Sequence, residues 1–189
     1  MGKTVNNKIV QQSIKDEHEN DIPTPVVEEE FIPLNLEQQV TVRSIAGWTT
    51  GFSRLVTVGD VSIPLRGAIR LSRNEIISQV HAGNALLAGI DGKGNHATLI
   101  IEDDATLEEL DFKNTIQFSD KAVKKLFSIS DQGSFEDSLK ETIVTRAEKY
   151  ALMVSIAKQK LNDYSKIRFC EEYTGYKLQN VIKTEKNSI

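Results

Sequence analysis

The chain has very little cysteine: Cys170 stands alone among 189 residues. No intrachain disulfide can form, and neither a Cys-x-x-Cys metal knuckle nor a disulfide framework exists. A reducing compartment is therefore expected. Histidine is almost as scarce. His18, His81 and His96 are the only three, and none sits at i, i+4 from a second ligand type, so no metal site is expected. No stretch approaches the roughly 18 apolar residues of a membrane span. The N-terminus also lacks an apolar signal segment, so the expectation is a soluble protein made in the cytoplasm, without a membrane partner. Asn6 stands where a myristoylation signal wants Ser or Thr.

Familiar chemical motifs are missing too. There is no Gly-x-Ser-x-Gly elbow. Asp91-Gly92-Lys93-Gly94 lacks the spacing of a phosphate loop and reads as a hairpin turn, with glycine supplying positive φ. An anionic neighbour, Glu171, raises the thiol pKa of Cys170, which reads as a small packed hydrophobe. No catalytic, metal or cofactor residues are expected, and the chain reads as a non-enzyme. Glu102-Asp103-Asp104 either binds a hard cation or caps the segment from Thr106 to Glu109.

What is present divides into parts. Residues 1–35 form a polar, acidic arm, 36–113 a β-barrel-like module, 114–178 a helical module and 179–189 a frayed tail. The net charge of −4 is unevenly placed. Residues 1–30 carry 3 basic and 7 acidic side chains, 31–113 carry 7 and 10, and 114–189 carry 13 and 10. Opposite signs on the two modules either favour head-to-tail association or are ordinary solvated surfaces. The arm buries too little apolar surface to offset its ordering entropy. It is either a flexible tail or a strap ordered on a neighbour, with Phe31, Ile32 and Leu34 as its apolar anchor.

Within the β module, Gln39 to Ser44 alternates as a strand. Gly47 and Gly51 bracket a turn or bulge around Trp48. Phe52 to Val58 resumes β character, and Gly59-Asp60 turns it into Val61 to Leu65, with Pro64 near a strand end. Ser72 and Glu75 form a capping box opening a short helix that Gly83-Asn84 ends. Ala85–Ile90 and Asn95–Glu102 read as the two strands of a hairpin. The fold class is thus α+β: a small β-barrel or roll with one inserted short helix, then a C-terminal helical hairpin.

The helical module opens at Ser119-Asp120. A second start at Ser134 and Asp137 leads into a stripe of Leu139, Ile143, Ala147, Tyr150, Val154, Ala157 and Leu161. Asn162-Asp163 caps another helix through Ile167, Cys170 and Tyr173, closed by Gly175. The stripe is either core or a subunit contact. Arg66 and Arg70, evenly spaced, share one strand side if both lie in one strand. With Arg43, Arg54 and Arg73, and with Trp48 and Phe52, they could form a nucleic-acid face, though the module's acidic balance opposes that. Otherwise they pair with acids on a neighbour.

Several segments share one resemblance. They are Val40-Thr41-Val42-Arg43, the Gly59-Asp60 turn, Leu71 to Ile76, Glu102-Asp103-Asp104, Val144 to Ala147, Tyr164 to Ile167 and Glu171 to Leu178. In order and spacing, over residues 36–178, the chain resembles small virion structural proteins of tailed bacteriophages. That resemblance implies a many-copy, non-enzymatic decoration or assembly subunit on the head, neck or tail, located in the virion. Capsid, neck or tail proteins and further copies of itself would be its partners, held by avidity. It implies a docking β module, a strapping arm and a second contact through the helices. Candidate partner-binding residues are Phe31, Ile32, Leu34, Trp48, Phe52, Arg66, Arg70, Tyr150 and Tyr173. The alternative is a small-barrel nucleic-acid-binding regulator.

Overall fold

The computed structural model describes residues 33–186. Residues 1–32 of the expected arm, Phe31 and Ile32 among them, lie outside the described residues. From Leu34 onward the chain forms one compact unit.

Gln39–Ser44 is β1. Its alternation buries Val40, Val42 and Ser44 on one face, as a half-covered strand requires. β1 is the centre of a three-stranded antiparallel sheet. On one side lies β4, Ala68–Ser72, with Val40 opposite Leu71; on the other lies β5, Leu99–Ile101, with Val42 opposite Ile101. A separate hairpin joins β2, Thr50–Ser53, to β3, Asp60–Ile63. Gly51 sits opposite Ser62, where any Cβ would come within 2.6 Å of the Val61 carbonyl oxygen. Among the described residues neither sheet closes, so the expected barrel is corrected to two small open antiparallel sheets. Helix α1, Arg73–His81, covers them. Leu71, Ile76, Leu87, Leu99 and Phe112 fill the core beneath.

The expected 85–102 hairpin is also absent. Ala85–Ala88 is a short helix, α2, capped by the Asn84 side chain. The 91–94 loop folds on the Asp91 carboxylate, which accepts from the Lys93 and Asn95 amides. β5 then pairs with β1 rather than with its neighbour in sequence.

Asp103 accepts from the Thr106 amide and opens α3, Asp104–Glu109. Helix α4, Asp120–Phe127, starts at its expected Ser119 cap. Helix α5, Gln132–Thr142, begins three residues before the expected start, because Asp131 caps it by accepting from the Ser134 amide. The expected continuous helix from Ser134 to Leu161 breaks at Ile143–Thr145. There Thr145 and Glu148 form a full capping box, and α6, Arg146–Gln159, begins afresh. Helix α7, Tyr164–Thr174, ends at Gly175 in the left-handed conformation. The expected frayed tail contains α8, Leu178–Lys186, whose Val181 is buried against α6. Among the described residues, five helices thus replace the expected hairpin.

α6 is buried on nearly every side, which marks a central core helix rather than an amphipathic one. Leu152, Met153 and Ile156 meet Phe135, Leu139 and Cys170 in a second core. Small residues join it to the β part: Ile45 and Ala46 pack on Ala147 and Ala151. Gly47 lies against the Tyr150 ring, where a Cβ would come within 2.6 Å. Polar bonds reinforce the joint. The buried Glu148 carboxylate pairs with His96 Nδ1 at 2.8 Å, and its other oxygen accepts from the Val144 and Thr145 amides. No helix among the described residues is long and apolar enough to cross a membrane.

Candidate interaction surface

The loop between β2 and β3 presents its side chains outward. Val58 is 103% exposed, Leu55 55% and Val56 41%. Exposed aliphatic side chains at a loop tip are normally dispersed by loop motion, yet this loop is held from below. The Glu75 side chain on α1 is buried, with 1% exposure. One of its oxygens accepts from the Leu55 amide and the other from the Val56 amide, each at 2.9 Å. Gln79 donates to the same carboxylate and to the Ser53 carbonyl, both at 2.8 Å, and Asn84 in turn donates to Gln79 at 2.9 Å. The Arg54 amide closes the loop by donating to the Gly59 carbonyl at 2.9 Å. Gly59 has φ 115°, which an L side chain rarely adopts.

This arrangement corrects one sequence expectation. Glu75 does not reach back to its helix cap; Ser72 accepts from the Glu75 amide, but the carboxylate goes to the tip. Burial pushes the Glu75 carboxyl up. Hydrogen bonds from Gln79, Leu55 and Val56, with the charge of Arg54, more than offset this and hold it below the usual carboxylate range. The acid is therefore an ionised clamp inside the protein. The expected strand over 52–58 stops at Ser53, which frees Leu55, Val56 and Val58 from any sheet partner.

A second polar clamp holds the entry to the unit. Arg73, 2% exposed, donates to the Asn35 carbonyl at 2.6 Å, to Thr106 at 3.0 Å and to Asp103 at 2.9 Å. Asp103 is therefore engaged as a cap and counterion, and Glu102 pairs with Arg43 at 2.6 Å.

The sequence-derived candidates fall in different places. Leu34 and Phe52 are half-buried, and Phe52 packs on the first core. Trp48 lies under the Arg146 guanidinium, 4.5 Å away, beside the second core and the joint that Ile45 and Ala46 make with Ala147 and Ala151. Tyr150 is buried and donates to Glu185 at 3.0 Å; burial and that carboxylate push its phenol up to about 12. Tyr173 donates to the Ile143 carbonyl at 2.7 Å and stacks on Phe169. Both tyrosines thus point into the molecule. Arg70 is exposed on β4 and reaches the Gln39 carbonyl. Arg66 lies in the turn before β4, so the two arginines do not share a strand side. The exposed tip was the part that sequence reasoning missed. Its only signal was a run of aliphatic residues ending in Gly59.

No family model, no curated protein and no solved structure matches this chain.

Proposed function

We propose that the chain is a non-enzymatic structural subunit of a phage particle, an accessory or decoration protein of head, neck or tail that grips neighbouring virion proteins. The resemblance over residues 36–178 supports the class. The observation that carries the docking role is the clamped aliphatic tip, Leu55, Val56 and Val58 on a loop fixed by the buried Glu75 carboxylate. Ordering a loop on binding costs free energy for each immobilised residue, and a tip already fixed avoids that cost. Repetition of such a contact by symmetry multiplies a weak grip.

The arginines give little support to the nucleic-acid alternative. Arg43 and Arg73 are paired with carboxylates, and Arg66 and Arg70 lie on different elements.

The test is quantitative mass spectrometry of phage particles purified from the host that encodes the chain. The expected result is a fixed number of copies per particle that survives a high-salt wash. Recovery only from the soluble fraction of the lysate would reject the reading.

A further inference from the structure

Arg66 occupies an unusual position. It is the third residue of the Pro64–Gly67 turn, closed by the Gly67 amide donating to the Pro64 carbonyl at 2.8 Å. Its φ is 50°, in the region that favours glycine. The guanidinium lines a hollow of about 360 Å³ between α6 and α8, whose aliphatic walls are Val154, Ala157, Val181 and Ile182. Its buried Nη1 has no hydrogen-bond partner among the described residues. The nearest acid among the described residues, Glu185, forms an ion pair at 3.8 Å, too far for a hydrogen bond, and its other oxygen accepts from Tyr150. The other cation of the hollow, Lys158, is already spent on Asp120 at 2.7 Å.

A buried guanidinium nitrogen without an acceptor is costly. A strained backbone that delivers it to an aliphatic hollow points to a ligand. We propose that this hollow binds a single carboxylate carried on an aliphatic body, with Arg66 as its anion-binding group. The incoming carboxylate takes the place of Glu185 at Nη1, and the aliphatic part lies on Val154, Val181 and Ile182. One guanidinium matches a single carboxylate charge, and the aliphatic walls offer no donors for the further oxygens and second charge of a phosphate dianion. The site rests on its own residues and does not depend on the particle reading.

NMR titration of the full chain tests this with four probes: hexanoate, acetyl-Val-Glu-Val-amide, hexanamide and inorganic phosphate. The expected result is saturable shifts at α6 and α8 with hexanoate or the peptide, and none with hexanamide or phosphate. Whichever of the two binds more tightly identifies a free acid or a peptide side chain as the source. Arg66→Gly keeps the turn, since glycine adopts positive φ freely, and weakens binding at least tenfold. Ala157→Trp fills the hollow and does the same with Arg66 in place. Glu185→Gln strengthens binding several-fold, which a purely structural arginine would not produce. Absence of binding by both carboxylates, equal binding of hexanamide, or affinity unchanged in Arg66→Gly would overturn the proposal.

Discussion

Replacing Glu75 with alanine removes the carboxylate that holds the Leu55 and Val56 amides of the tip. The carboxylate receives two backbone hydrogen bonds, from Leu55 and Val56, and one from Gln79. Hydrogen bonds to a charged group contribute about 1.5–3 kcal/mol each. Leu55 and Val56 are exposed, so their amides can turn to water in the variant, and the lower end applies to them. Gln79 keeps the Ser53 carbonyl and loses less. The expected loss is about 3 kcal/mol, a substantial part of the ~5–15 kcal/mol that stabilises a typical domain. At about 2–4 °C per kcal/mol for a chain of this size, Tm falls by roughly 6–12 °C. Acid should act in the same direction. The folded pKa of Glu75 lies below its ordinary value of 4.5. Its contribution is therefore complete above that value and is lost as pH falls through the folded pKa. Urea denaturation between pH 7 and pH 3 should show a smaller acid loss for Glu75→Gln than for the parent. Amide hydrogen exchange gives the local reading: Leu55 and Val56 should be protected in the parent and exchange freely in Glu75→Ala. Unchanged exchange at those two amides, with unchanged Tm, would refute the clamp.

Other outcomes follow from the same contacts. Asp103→Ala leaves the buried Arg73 guanidinium without its counterion and should cost about 3 kcal/mol in urea denaturation. Thr145→Ala removes the α6 cap and should cost about 1 kcal/mol by the same measurement. Burial pushes the Cys170 thiol up to about 12, so iodoacetamide at pH 8 should modify it only after unfolding, as read by mass spectrometry.

Local chemistry was the legible part of the sequence. Ser72, Ser119 and Asp163 cap helices as their types and spacing suggest, and Gly175 ends one in the left-handed region. These features depend on a few adjacent residues. Ala85 to Ile90 failed because a short apolar run fits a strand or a buried helical turn equally well. Asn84 caps the helical turn, and Gly89, at φ 73° and with the Asn95 backbone where a Cβ would sit, ends it. The break before α6 was written in Thr145-x-x-Glu148, but a sustained apolar stripe outweighed it. α8 carried a weak signal in Leu178, Val181 and Ile182, hidden among polar residues. The tip was illegible for a different reason. Whether Leu55, Val56 and Val58 are covered depends on where β2 stops, and that depends on Glu75, some 20 residues away in sequence. The hollow at Arg66 needs α8, whose few apolar residues are scattered among polar ones.

The most direct test of the docking account is incorporation of a tip variant into particles. Host cells would express tagged parent or Val58→Asp chain during phage growth, and purified particles would be assayed for each. Val58 is fully exposed, so the substitution leaves folding and Tm unchanged while placing a charge on the tip. The account predicts that the parent enters particles and that Val58→Asp falls at least tenfold. Equal incorporation of the two chains would contradict it.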